Sequence, residues 1–457
     1  MTGTLAVDET TVQDIDGLLW YTKWGTPSLT YSFPTNASYY EGAGEAQNNF
    51  EAFSDAQIAA VQDILDGIAS ATNLSFTEIA ETAAIHATLR LALSDTPPGA
   101  WAYLPEIGEA AGDSWYNNSG GAFDHPARGN YAYYSIMHEI GHSLGLKHGH
   151  DPSVFGPMTT ARDSMEYSIM TYRSYVGADG AYVYNEPSGY AQTLMLYDIA
   201  ALQHLYGADF STNSGNTTYR WDSLTGQAFV DGVGQGIPEN NRVFMTLWDG
   251  GGNDTYDFSD YADNLTVDMR PGKWVTTSPT QLADLGHGHY ARGNIANALL
   301  YKADTRSLIE NARGGSGDDK LIGNQGANRL SGSSGDDTLT GGLGNDVFVS
   351  GPGRDRFVFN TLPDEVANLD RIVDFNVKDD TIRLDNAVFT AVGKTGRLSS
   401  TAFWNEAAAH DKSDRILYDK GSGSLYYDPD GIGQAAQVEF AHLARGLKLH
   451  TSDFYVV

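Results

Sequence analysis

The sequence predicts an α+β domain followed by an all-β parallel β-roll, and three observations carry that prediction. From Gly17 to about Tyr206, segments with helical and with strand periodicity are mixed. Past about Arg242 the helical periodicity fades into short Gly/Asp/Asn-rich segments set around single large apolar residues. Between 314 and 358 these segments become a nine-residue repeat, the mark of a stacked repeat architecture. At 457 residues the chain is also too long for one compact core. The expected division is an N-terminal extension over 1–16, a first domain over 17–245 and a second over 246–457.

Within the first domain, Leu29–Phe33 alternates like a strand. Ser54 is a candidate N-cap for a helix running to Ser70, with Ile58, Val61, Ile64, Leu65 and Ile68 on one face. Ile85–Leu93 reads as strand. Tyr131–Leu144 reads as a helix stopped by Gly145, and Leu194–Tyr206 as a second helix bounded by Gly207.

Composition narrows the chemistry. The chain has 58 acidic against 28 basic residues, a net charge of −30, which excludes nucleic acid as a partner. With no cysteine, any metal must use imidazole, carboxylate or carbonyl ligands. No apolar run reaches 18 residues, so no membrane span is expected. The N-terminal residues lack the basic and apolar regions of a secretory signal peptide.

The string His138-Glu139-Ile140-Gly141-His142-Ser143-Leu144-Gly145-Leu146-Lys147-His148 has the spacing of a catalytic metal site. On a helix His138 and His142 lie one turn apart on one face, so both imidazoles reach a single zinc ion. Glu139 is rotated off that axis and is free to act on a water. His148 can return to the same ion only if the chain leaves the helix, and Gly145 permits that with a positive φ. The extended pattern is the metzincin signature.

The repeats are GGSGDDKLI, GNQGANRLS, GSSGDDTLT, GGLGNDVFV and SGPGRDRFV, with an isolated cousin DGGGNDTYD at 249–257. Each unit is half a coil, so residues 18 apart stack. Leu321, Leu339 and Phe357 are expected in one sheet and Leu330 and Phe348 in the other. Asp319 then lies beneath Asp337, with Asp355 next; like charges so close call for a hard divalent cation, Ca2+. Turn groups of Gly314, Ser316, Gly332, Ser334, Gly341 and Leu343 join Asp346 and the other aspartates as candidate ligands. The second repeat carries Ala327 and Asn328 where acids would sit, so calcium is expected to bind more strongly on the 319/337 side than on the 328/346 side.

Several segments resemble the serralysin family, secreted metzincins that carry an RTX β-roll. They are LTYSFP from Leu29, AGDSWYN from Ala111, the zinc helix, SIMTY from Ser168, DIAALQHLYG from Asp198, WDGGGNDTYDF from Trp248, IENARGG from Ile309 and the nonapeptides. The resemblance implies a structural Met-turn at Met170, with Tyr172 as an additional zinc ligand that swings away and then hydrogen-bonds the oxyanion. It also implies a substrate-pairing edge strand at Trp101, Ala102 and Tyr103, and broad hydrolysis of protein and peptide substrates. Junction calcium sites would fall on Asn213, Gly215, Thr217, Asp249, Gly251, Gly252, Asp254 and Glu310. One catalytic Zn2+, several structural Ca2+, a short propeptide within 1–16 and extracellular export through an ABC-type machinery follow from the same resemblance. So do a small protein inhibitor as a possible partner and a monomeric state. The family's first helix would fall on Leu18–Thr22, and the Gly-His-Asp-Pro-Ser-Val that follows His148 departs from the Pro-Gly-Asp common there. A non-catalytic calcium-dependent adhesin would require every element of this zinc motif to be vestigial, and a lipase would need a Gly-x-Ser-x-Gly elbow, which we do not find. Of the other histidines, His150 reads as a neighbour of the motif, His204 as a hydrogen-bonding residue near the junction, and His287 and His289 as a solvated pair.

Overall fold

The computed structural model describes residues 3–40 and 43–457. Its N-terminal half is a five-stranded sheet packed against helices. The helices are α1 (Gln13–Asp16), α2 (Asp55–Ala71), α3 (Tyr131–Ser143) and α4 (Leu196–Tyr206). Two short strands, β1 (Thr4–Ala6) and β2 (Thr22–Trp24), pair with each other. The main sheet comprises β3 (Ser28–Ser32), β4 (Ser75–Glu78), β5 (Leu89–Ser94), β6 (Ala100–Ala102) and β7 (Asp113–Asn117), in the order β4-β3-β5-β7-β6. All neighbours run parallel except β6, which is antiparallel to β7 and forms one edge of the sheet, opposite β4.

Local chemistry explains most of these elements. Ser54 and Gln57 close a reciprocal capping box at the start of α2, which buries Val61, Ile64, Leu65 and Ile68. At the centre of the sheet, β5 is buried along its whole length, and Arg90 within it is neutralised by Asp113 at 2.7 Å.

Two expectations are corrected. The strand expected from Ile85 starts at Leu89, and Ile85 is 57% exposed; Thr82 Oγ1 accepts the amides of Ala84 and Ile85 and bends the chain first. The helix expected at Leu18–Thr22 is absent: α1 ends at Asp16, Leu18 lies in the turn after it, and the chain from Leu19 to the strand at Thr22 is not helical. Leu18 and Leu19 are fully buried, and main-chain bonds from Trp20 to Gly145 and from Lys147 to Leu18 tie this stretch to the turn before His148. Those long-range bonds outweigh local helical preference.

The C-terminal half is two facing sheets of short, mostly parallel strands, one of 12 and one of 10. Leu321, Leu339 and Phe357 stand in register in one, continuing to Ile382. Leu330 and Phe348 are in register in the other, between Ala312 and Ile372. The strand Thr218–Trp221 pairs in parallel with Thr255–Asp257, so residues on both sides of position 245 share one sheet. Phe454–Val456 adds a strand beside Thr381–Leu384. Phe244, Trp248, Leu285 and Ala291 sit in the core of the N-terminal half, joining the two halves. No helix among the described residues is long and apolar enough to cross a membrane.

Candidate functional site

The helix α3 carries His138 and His142 on its buried face. Its C-terminal turn closes with Leu146 N–H donating to the Gly141 carbonyl, and Gly145 takes a φ of 103°. The chain then doubles back and brings His148 alongside. The three Nε2 atoms converge: His148 lies 3.2 Å from His138 and 3.1 Å from His142. His138 Nδ1 is 2.7 Å from the Ile169 carbonyl, and His142 Nδ1 is 2.7 Å from that of Leu146. A carbonyl only accepts, so both Nδ1 atoms carry the hydrogen and both Nε2 atoms are bare lone pairs. A single hydrogen on His148 cannot satisfy two such acceptors. A cation at the centre can.

The electrostatics agree with that donor set. Burial and the neighbouring His142 push His138 down to about 3, burial pushes His142 down to about 4, and His148 is depressed further still. The rings are therefore neutral at physiological pH, as soft nitrogen ligands for a tetrahedral metal must be. Beside them Glu139 is 6% exposed, its Oε2 has no hydrogen-bond partner among the described residues, and burial raises its carboxyl to about 8. Three imidazoles and one orphaned carboxylate fit a zinc ion with a reacting water.

Tyr172 is 40% exposed, and its ring centroid is 4.5 Å from that of His148 and 5.1 Å from that of His150. His150 lies parallel to His148 at 5.2 Å. Met170 is fully buried under α3, where a Cβ on Gly141 would meet its sulfur at 2.7 Å; the glycine lets the turn approach this closely. Trp101 and Ala102 lie on the edge strand β6, with Tyr103 just beyond it. Tyr103 and Trp101 both donate to the buried Glu45, at 2.6 and 3.2 Å.

The sequence reading passed over Asp198. It is fully buried at the start of α4 and accepts hydrogen bonds from Ser168 Oγ and from the amides of Ile169 and Met195. It thereby fixes the carbonyl that orients His138, the kind of outer support that metal-binding histidines need. Only its place three residues after Met195, as the third residue of the helix, hinted at it. His204 makes a hydrogen bond, as expected of it, and its partner is the Asp8 carbonyl at 2.8 Å. His287 and His289 are exposed, as expected of a solvated pair, and each also packs one face against an aromatic ring.

In the C-terminal half the turn carboxylates form two ladders. The amide of Asp319 donates to Asp337 Oδ1 at 2.8 Å, that of Asp337 to Asp355 at 2.9 Å, and that of Asp355 to Asp380 at 3.1 Å. On the other side Asn328 donates to Asp346 at 2.7 Å, and Asp346 to Asp370 at 3.0 Å. Each aspartate spends one oxygen on this ladder. The second oxygens of Asp254, Asp337, Asp346 and Asp355 are buried with no hydrogen-bond partner among the described residues. A Cβ placed on Gly332 would lie 2.1 Å from Asp337 Oδ2 and 2.8 Å from the Ser350 carbonyl, so glycine keeps open the space that these oxygens border. Burial lifts Asp319 to about 6, Glu310 and Asp346 to about 7, and Asp337 to about 8. Orphaned, desolvated carboxylate oxygens beside carbonyls are the chemistry of calcium ligands. At the first of the junction positions, Thr217 donates to Asp254 and Asp254 to Glu310, continuing the pattern, while Tyr219 donates to Asp249. Thr217 Oγ1 also donates to the carbonyls of Asn213 and Gly215, and Gly251 N–H to Asp249.

Asp370 and Asp380 were missed because the interval from the previous rung grows from 18 to 24 and 25 residues. The loop that includes Asp364–Asn368 interrupts the repeat. The surviving signal is an Asp two places before a buried Ile, in Asp370-Arg-Ile372 and Asp380-Thr-Ile382.

Comparison with known proteins agrees with this arrangement. The family described as Peptidase M10 serralysin C terminal matches residues 208–422. Metalloprotease AprA of Pseudomonas entomophila (strain L48) is 37% identical over 438 residues, which is 92% of this chain and 84% of that protein. Metallopeptidase AprA of Pseudomonas marginalis is 33% identical over 66% of this chain and 61% of its own length. Serralysin C of Dickeya chrysanthemi is 34% identical over 65% of this chain, and the match spans 58% of that protein. With a relative of that identity and coverage, and a parallel β-roll behind a converging histidine triad, the chain belongs to the serralysin family of metalloproteases.

Proposed function

We propose that this protein is a secreted zinc endopeptidase of the metzincin type that hydrolyses peptide bonds in proteins with broad specificity. The observation that carries the reading is the convergence of three neutral imidazoles beside the buried, unpartnered carboxylate of Glu139. His138, His142 and His148 would hold one zinc ion, which when bound supplies Lewis-acid polarisation of water and of the scissile carbonyl. Glu139 takes a proton from the attacking water and returns it to the leaving amine. Tyr172 has the exposure to move, and its hydroxyl donates to the developing oxyanion. The free edge of β6 pairs with extended substrate through backbone groups, which explains broad specificity.

Calcium on the aspartate ladders folds the C-terminal half. Scarce in the cytosol and abundant outside, it delays that folding until an ABC-type exporter has passed the chain. The enzyme works as a monomer, open to a small protein inhibitor at the cleft. Digestion of a peptide library by wild type and by Glu139→Ala, with zinc content measured in both, tests the reading. The variant is expected to keep its zinc while turnover falls by a factor of about 100 or more. Zinc-free folded protein, or an alanine variant as fast as wild type, would sink it.

A further inference from the structure

The loop 284–292 of the C-terminal half grips the segment that bears Met170 and Tyr172. At one end Arg292 donates to Glu166 from its amide at 3.0 Å and its guanidinium at 3.1 Å. At the other, Glu186 N–H donates to the Asp284 carbonyl at 2.9 Å and Asp284 N–H returns to Glu186 at 3.0 Å. Leu285 and Ala291 anchor the loop in the N-terminal core.

Between these anchors the loop folds into a small hairpin. Asp284 and Tyr290 bridge, and the tip Gly286-His287-Gly288 has φ values of 86°, 54° and 79°. A left-handed non-glycine residue flanked by glycines is a costly turn, kept where the surroundings hold it. A Cβ on Gly286 would lie 2.4 Å from the Tyr184 carbonyl, so the tip is pressed against that chain. The tip presents two imidazoles. His289 stacks on Tyr175 with centroids 3.7 Å apart and planes at 14°, and His287 meets Tyr184 edge-on at 4.5 Å.

Tyr175 and Tyr184 are the two ends of one loop, closed where Tyr184 N–H donates to Ser174 Oγ at 2.6 Å. Tyr172 stands three residues before Tyr175. We infer that the 284–290 hairpin is a positioning element for Tyr172: through the rings of Tyr175 and Tyr184 it holds the loop against which Tyr172 moves, so the β-roll half helps to set the catalytic cleft. This rests on the role of Tyr172 proposed above.

The test uses the full-length, calcium-loaded enzyme and a short peptide substrate. His289→Ala is expected to lower kcat/KM about three- to ten-fold, mainly through kcat, because a lost ring stack loosens a group needed in the transition state. His289→Phe, which keeps the stack, is expected to recover most of the loss. In a Tyr172→Phe background His289→Ala should have no further effect, since both changes act through one hydroxyl. Amide exchange over 174–184 should quicken in His289→Ala and not in His289→Phe. His289 is exposed, so its substitution leaves the core intact. An unchanged kcat in His289→Ala, an equal loss in the Tyr172→Phe background, or a phenylalanine variant no better than alanine would each overturn the inference while leaving the protease reading standing. A Tyr172→Phe enzyme as fast as wild type would remove the role of Tyr172, and the inference with it.

Discussion

Asp198 touches no imidazole, yet two buried amides and a buried hydroxyl depend on it. Replacing it by alanine strands those donors, and each buried donor left without a partner costs about 1–3 kcal/mol. The expected outcome for Asp198→Ala is a lower melting temperature together with weaker zinc binding, by about 10- to 100-fold, as the Ile169 carbonyl loosens beneath His138. Competition with a metal chelator measures the second effect separately from the first. Unchanged zinc affinity in a folded variant would confine Asp198 to a structural part. Glu139 raises a different issue. Burial holds its carboxyl near 8 in the metal-free protein, and a cation at the neighbouring imidazoles would draw that value down.

At the scale of the turn, the two ladders are built from the same geometry with different side chains. Asp337 lies between two carboxylates, Asp319 and Asp355. Asp346 lies between the carboxamide of Asn328 and the carboxylate of Asp370. Asn328 closes its own turn by accepting the Asn324 amide and donating to the Glu310 carbonyl. Removing Asp337 therefore breaks a run of four acids, whereas removing Asp346 breaks one pair. Calcium titration of Asp337→Ala should show the larger loss of affinity, and equal losses in Asp346→Ala would refute the asymmetry. Asn328→Asp should add calcium affinity on its side, because it restores the missing acid. Asp370 lessens the imbalance expected from the nonapeptides alone, since the weak position is confined to the turn of Asn328.

For the molecule as a whole, calcium and protons compete for the same oxygens. In the metal-free fold burial raises Asp337 and Asp370 to about 8 and Asp346 to about 7, with neighbouring carboxylates adding to Asp337 and Asp370. An unfolded aspartate titrates near 4. The folded state thus binds more protons between about pH 4 and pH 8, and stability from these groups is lost as pH rises through that window. With chelator present, the melting temperature of the C-terminal half should be higher at pH 5 than at pH 8. Calcium should reverse the order, because it binds the ionised form. A chelated protein equally stable at both values would show that these carboxylates are not the coupled groups. The net charge of −30 acts in the same direction, since a bound cation relieves self-repulsion.

The amino-acid order alone determined what depends on short-range periodicity. The cap of α2, the one-turn spacing of His138 and His142, the reversal at Gly145 and the 18-residue stacking of Leu321 on Leu339 are set by neighbours a few residues or one coil away. Tertiary structure decided whatever relies on partners distant in sequence. It held Leu18 and Leu19 against the chain near Gly145, carried the ladder over an insertion to Asp370 and Asp380, and set Asp198 beneath the Met170 turn. It also brought His289 onto Tyr175, more than a hundred residues away, because burying an aromatic face rewards whichever ring the fold delivers to it.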